Sequence, residues 1–240
     1  MNNILGAKGG DGYGIIDVAD TLGHKNSYID YLHKLALEQV GVCNATDVVL
    51  DFGCGIGRLS HWLGDKCSRV YGIDIGKEVL SIAAQHNARA NVIYQVYDGE
   101  TIPFAESSFD VILLVGVFHR KSIFPEDKLA RILGEFYRVL KPNGRIIMIG
   151  SMYGRRQSPS YRREEILTHF AKQNLTCTSH YPIRKGRTPL LYMIRYGLIP
   201  PRFIPRLAQH ELSKRRHEHE AFYDYKDYLF CFEKKTGVGT

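Results

Sequence analysis

A few side chains in this 240-residue sequence have the type and spacing to do chemistry. Asp51 opens a run of alternate glycines, Asp51-Phe52-Gly53-Cys54-Gly55-Ile56-Gly57. Glycine lets a backbone approach a ligand with no Cβ in the way. Asp74 closes a second apolar run 23 residues later. A carboxylate at such a strand end accepts both hydroxyls of a ribose. Asp98 precedes Gly99 after a third run. A carboxylate only accepts, so it suits a hydrogen-bond donor on a ligand; the plainer reading is a turn aspartate. His119 follows a fourth run and is the one titratable side chain nominated as a base, because imidazole titrates near neutrality. Its alternative is a structural hydrogen bond or a wall of the pocket.

The spacing also excludes. A dinucleotide fingerprint, G-x-G-x-x-G, requires glycine at position 58, where Arg58 stands. No G-x-x-x-x-G-K-[ST] phosphate loop occurs. Asp74 by itself does not separate an adenosyl cofactor from NAD.

These residues need strands to end at them and helices to follow. The apolar run 48–50 reads as a buried parallel strand ahead of the glycines, with a helix from 58 to about 66. Strands are expected at 69–74, 91–96, 107–115 and 145–149, and helices at 78–90 and 125–140. Strand 107–115 is apolar after Asp110, so it is central. Asp110 opens that strand away from the ligand end and is read as structural. Earlier, 27–40 reads as a helix capped by Ser27, with Asp30 in its first turn and Gly41 ending it. Later, 163–172 reads as a helix, with strands at 175–183 and 227–235.

The motif Asp51–Gly57 resembles the first motif of the class I S-adenosylmethionine-dependent methyltransferases. The run Phe136-Tyr137-Arg138-Val139-Leu140-Lys141-Pro142-Asn143-Gly144-Arg145 resembles the segment before strand five in their small-molecule, type 11-like branch. With Asp110-Val111-Ile112, the resemblance covers about residues 45–150. It implies an α/β, Rossmann-like fold: a seven-stranded, mostly parallel sheet with one antiparallel strand, helices on both faces and S-adenosyl-L-methionine as cofactor. The cofactor-contacting set it implies is Asp51, Gly53, Cys54, Gly55, Gly57, Asp74, Ile75, Tyr97, Asp98, Gly99, Val115 and Gly116, with Asp98 turned to the adenine amine. The reaction implied is in-line displacement on an activated methyl, where the enzyme's task is alignment plus proton removal where the acceptor needs it. No metal is expected.

Absences narrow the acceptor. Where enzymes of exocyclic base amines resemble one another in [DNS]-P-P-[YFW], this chain reads Val115-Gly116-Val117-Phe118-His119. No nucleophilic cysteine lies there, and no carboxylate follows Asp110 until Glu126. The expectation is methyl transfer to O or N of a small molecule.

The net charge is +7, unevenly placed. Residues 1–150 hold 15 Lys and Arg against 17 Asp and Glu; residues 151–240 hold 17 against 8. The basic part suggests an anionic acceptor, such as a sugar nucleotide, a phosphorylated sugar or a lipid intermediate. RNA is the alternative partner, and a non-catalytic cofactor-binding protein the third reading. The segment 187–225, between the last two strands, is expected to be a helical cap over the acceptor. Arg195, Arg202 and Arg206 punctuate an apolar aromatic run in 189–207 that would suit a peripheral membrane or dimer contact, although Pro200, Pro201 and Pro205 break any long amphipathic helix. His217 and His219, two apart on a helix, make a poor metal pair. Residues 1–26 are expected to be a flexible arm on a single domain. Five cysteines with no C-x-x-C pair and no apolar leader suggest a cytoplasmic protein, monomer or homodimer.

Overall fold

Alternation of apolar residues along the strands decides the architecture. The structure is a computed structural model that describes residues 8, 9, 12, 13, 16, 17, 19–118, 121–152, 160–186, 188–216 and 225–235. Seven strands form its main sheet: β1 (Val48–Phe52), β2 (Arg69–Asp74), β3 (Val92–Val96), β4 (Phe109–Val115), β5 (Leu140–Met152), β6 (Leu175–Lys185) and β7 (Tyr225–Lys234). Their order is β3-β2-β1-β4-β5-β7-β6. β7 runs antiparallel to both its neighbours, and the other pairings are parallel. All but β7 therefore end on the same edge, and β7 begins there.

Helices α1 (His24–Gln39), α2 (Arg58–Leu63), α3 (Lys77–His86), α4 (Glu126–Val139), α5 (Arg163–Ala171), α6 (Pro189–Arg195) and α7 (Ile204–Arg216) surround the sheet. Leu50, Phe52, Ile112, Leu114, Ile146, Met148, Phe230 and Phe232 pack with α4 and α5. Their sequence neighbours Val49, Val111, Leu113, Ile147, Ile149, Leu229 and Cys231 pack with α1, α2, α6 and α7. A period of two thus feeds two cores, one on each face. Each such buried side chain contributes roughly 1.5–3 kcal/mol relative to exposure. In α4 the buried positions Leu129, Ile132, Leu133, Phe136 and Val139 form one helical stripe, and Phe136 meets Phe52 edge-on at 4.8 Å.

Boundaries differ from expectation for physical reasons. α1 begins at His24 rather than position 27, because buried Asp20 accepts the Asn26 N–H at 2.8 Å and serves the helix end. The Ser27 hydroxyl bonds back to Gly23 O instead of capping, and Asp30 lies beyond the first turn. The expected arm therefore overlaps the start of a packed helix. α3 stops at His86, before the expected 90, and Asn87 donates to Ile56 O in the glycine loop at 2.6 Å. β5 starts at Leu140, paired with Phe109, ahead of the expected 145. Asp110 is structural as read: it accepts the Val48 N–H at 2.9 Å and Lys141 Nζ at 2.8 Å, tying three strands at the edge away from the glycine loop.

The segment between β6 and β7 carries α6, a 3-10 turn (Pro201–Phe203) and α7. Thr188 caps α6 by accepting the Leu191 N–H, and Pro200 and Pro201 separate it from α7. α7 packs on α1 and β6 through Ala208 and Leu212. Tyr192, Met193, Tyr196, Leu198 and Phe203 of this segment stay exposed. His217 and His219 lie outside the described residues. Among the described residues, no helix is long and apolar enough to cross a membrane.

Candidate functional site

The edge where the parallel strands end holds the chemistry in a line set by strand order. After β3 comes Asp98, exposed, with Oδ1 accepting the N–H groups of Glu100 and Thr101 at 2.8 and 2.9 Å. These two bonds hold its carboxyl below the usual range, so it is an acceptor at neutral pH. Gly99 beside it approaches Ile75, which is 66% exposed and offers an apolar shelf. At the end of β2, Asp74 accepts the Gly76 N–H on Oδ1 at 2.9 Å and the Gly55 N–H on Oδ2 at 3.0 Å. Each oxygen has a further lone pair for a hydroxyl.

The glycine loop follows β1. Gly55 sits at φ +55°, and a Cβ there would meet nothing within 4 Å; that backbone faces open space. Gly57 differs: at φ +78°, a Cβ would come within 2.3 Å of the Tyr94 hydroxyl. Tyr94 in turn donates to Asn87 O at 2.8 Å. The loop is thus braced from below and open above. Asp51 lies under it, 3% exposed, accepting the Ser60 hydroxyl at 2.6 Å. Burial pushes its carboxyl up to about 6 against the pull of that hydrogen bond. Burial, with Asp51 and Asp74 nearby, raises the Cys54 thiol far above its usual range. It stays protonated and is no nucleophile.

A cavity of about 340 Å³ opens above the loop and continues past β4 to the far strands. Cys54, Gly55, Ile56 and Arg58 line one side; Val115, Gly116, Ile149, Gly150 and Ser151 form its floor. Arg184 of β6, Asp227 of β7 and His33 of α1 close the far end. Arg184 and Asp227 are cross-strand partners, and Arg184 Nε donates to Asp227 Oδ2 at 2.6 Å. His33 Nε2 lies 3.3 Å from the same oxygen. Burial works to raise the Asp227 carboxyl, but Arg184 and His33 outweigh it and hold it well below the carboxylate range.

Of the residues singled out in the sequence, the cavity brings together Cys54, Gly55, Val115 and Gly116, with Asp74 bonded to the Gly55 backbone. Ile75, Asp98 and Gly99 continue the line toward β3. Asp51 and Gly57 brace the loop, and Gly53 donates its N–H to Ile73 O at 2.8 Å. Tyr97 is buried against Phe52, ring centroids 5.3 Å apart. His119 lies outside the described residues. Sequence reasoning missed His33, Arg184 and Asp227. Their signal was faint: a histidine on the buried stripe of a helix, and single charges inside apolar strands.

Comparisons with known proteins agree with this geometry. Residues 50–148 match a family model described as a methyltransferase domain. A demethylmenaquinone methyltransferase of Tropheryma whipplei (strain Twist) is 33% identical over 131 residues, 54% of this chain and 52% of its own length. An uncharacterised methyltransferase of Bacillus subtilis (strain 168), YcgJ, is 27% identical over 167 residues, 62% of this chain and 64% of its own. The chain thus spans about half to two thirds of these relatives. The crystal structure of YcgJ superposes with a TM-score of 0.58, covering 86% of this chain and 99% of that one at 19% identity. A geranyl diphosphate methyltransferase in complex with S-adenosylmethionine gives 0.60, covering 88% and 86% at 15% identity. The matched methyltransferase domain lies over the glycine loop and the strand ends that carry Asp74 and Asp98, in a sheet of the strand order described above.

Proposed function

We propose that the protein transfers a methyl group from S-adenosylmethionine to an oxygen or nitrogen of a small acceptor that carries negative charge. The observation that carries this reading is the order of groups along the strand ends. Asp98 suits an amine, Asp74 a vicinal diol, and the open backbone at Gly55 and Gly116 a chain that must lie close; a cavity with its own charged end follows. Adenine, ribose and the sulfonium end would then run from β3 to β4, with the acceptor beyond. When bound, the cofactor supplies an electrophilic methyl on a positively charged sulfur. The chain's own residues bind, orient and exclude water. Asp74 fixes the sugar, and the braced loop fixes the reach toward β4.

Arg58 and Arg184 line this cavity; Arg184 is paired with Asp227, but Arg58 and Lys34 share the one carboxylate of Asp30, and the positive charge left over favours an anionic acceptor. A small molecule is also what the name of the T. whipplei relative specifies. Within the segment 187–225, α6 and α7 pack on α1 and would cap the cavity from that side. The test is labelled methyl transfer from S-adenosylmethionine into small-molecule and RNA fractions. Label in the small-molecule fraction is expected. Label in RNA alone would replace the acceptor class, and label in neither, with tight cofactor binding, would make the protein a non-catalytic binder.

One surface observation favours a peripheral contact with an anionic lipid surface. Exposed Tyr192, Met193, Tyr196, Leu198 and Phe203 are interleaved with Arg195 and Arg202, and those guanidinium groups lie 5.8 and 5.1 Å from the Tyr196 and Phe203 rings. Co-sedimentation with phosphatidylserine vesicles, lost on Tyr196→Ser with Leu198→Ser, is the outcome expected. No co-sedimentation at low salt would remove it.

A further inference from the structure

The far end of the cavity holds ionisable side chains from three elements, beyond the groups assigned to the cofactor. We propose that His33 is the base that takes the proton from the acceptor's reacting O–H or N–H, with Asp227 as its positioning residue. This rests on the methyltransferase reading above.

The neighbours of the ring assign its tautomer. Asp227 Oδ2, an acceptor, lies 3.3 Å from Nε2, an ion-pair distance without hydrogen-bond geometry, so the carboxylate acts on this nitrogen through its charge. Arg58 Nη2, a donor, lies 3.4 Å from Nδ1. A carboxylate favours the proton on the nitrogen facing it, and a guanidinium favours a lone pair on the nitrogen facing it. Both point to the same form: N–H at Nε2 and a bare Nδ1 on the side of Arg58, which also lines the cavity. At 3.4 Å the Arg58 contact is weak, so an acceptor hydroxyl displaces it readily.

Among the described residues, the other nearby charges are already paired. Arg58 and Lys34 both pair with Asp30. On α7, Glu211 takes the Tyr28 hydroxyl and lies 3.6 Å from Arg215. Arg184 is committed to Asp227. His33 thus sits between one carboxylate and one guanidinium, on a helix that also packs on the capping segment.

Burial makes a purely structural role expensive. His33, Arg184 and Asp227 are 4, 4 and 8% exposed. Desolvating such a cluster generally costs as much as its ion pairs return, and an apolar set of the same volume would hold α1 to the sheet at least as well. The cluster lies where the cavity meets α1, β6 and β7, on the side of β4 opposite the groups assigned to adenine and ribose. A base there faces an acceptor and not the sugar.

In the step, the acceptor atom gives its proton to Nδ1 and forms the new bond to the methyl carbon. The carbon–sulfur bond breaks with its electron pair left on sulfur. Asp227 stabilises the imidazolium, which loses its proton to water before the next turnover.

The test uses the full chain with 15N-labelled histidine. Long-range proton–nitrogen spectra from about pH 5 to about pH 9 should show His33 at neutrality with its proton on Nε2 and Nδ1 bare, a preference lost in Asp227→Asn. A proton on Nδ1 at neutrality, or an imidazolium throughout, overturns the proposal. His33→Gln should bind S-adenosylhomocysteine within about threefold of wild type while losing on the order of 100-fold or more of labelled methyl transfer. Affinity for S-adenosylhomocysteine lowered more than about tenfold in His33→Gln would place the ring at the cofactor's amino-acid end and also overturn it. Wild-type protein that binds no S-adenosylhomocysteine would instead sink the methyltransferase reading itself.

Discussion

Gly55 and Gly57 have left-handed backbones two positions apart and different reasons for being glycine. Alanine at 57 would meet Tyr94 as well as the strain of φ +78°. Gly57→Ala is expected to cost about 2–4 kcal/mol in urea denaturation, combining left-handed strain with overpacking. Gly55→Ala meets no atom, so it should cost only about 1–2 kcal/mol yet lose S-adenosylhomocysteine affinity, because its methyl enters the cavity. Equal stability losses in the two variants would contradict the open-above, braced-below loop. Asp51 gives a pH signature. Its carboxyl is raised to about 6 in the folded protein, above the unfolded value of 3.8, so the folded state keeps the proton longer. Stability from this group therefore falls as pH rises from about 4 to about 6, and the cost is complete above that, on the order of 3 kcal/mol. Asp51→Asn keeps an acceptor for Ser60 and should remove the fall. The variant would gain over wild type between about pH 4 and about pH 7 in urea midpoints, and an unchanging difference would refute the raised carboxyl.

At the scale of elements, the strands were legible because each is written locally. Apolar runs at 48–50 and 111–115 need no knowledge of their neighbours, and the helical stripe of α4 repeats on its own period. Ends were less legible, because distant partners set them. Asp20 moved the start of α1, and the glycine loop took Asn87 from the end of α3. Asp110 was read correctly from its place at the foot of a strand, and its two partners, Val48 and Lys141, separate structure from function at opposite edges of the sheet. Asp110→Ala should lose about 1–3 kcal/mol of stability in urea denaturation with S-adenosylhomocysteine affinity unchanged. A drop in affinity without a drop in stability would mean that the edge away from the loop reaches the site.

Across the whole molecule, strand order converts a sequence into a linear site. The line of groups at the strand ends was legible, since Asp51, the glycines, Asp74 and Asp98 follow one another in the chain as they do along the sheet. The charged far end of the cavity was not. His33, Arg184 and Asp227 come from two ends of the sequence and meet only because β7 inserts antiparallel between β5 and β6, opposing Arg184 to Asp227. No local period reports such a meeting. The central claim is that the strand-end line holds S-adenosylmethionine, and calorimetric titration with S-adenosylhomocysteine tests it most directly. The expected result is one site per chain, weakened on the order of 100-fold by Asp74→Ala at unchanged folding, with no heat from NAD. Binding of NAD in its place, or full affinity in Asp74→Ala, would contradict the account.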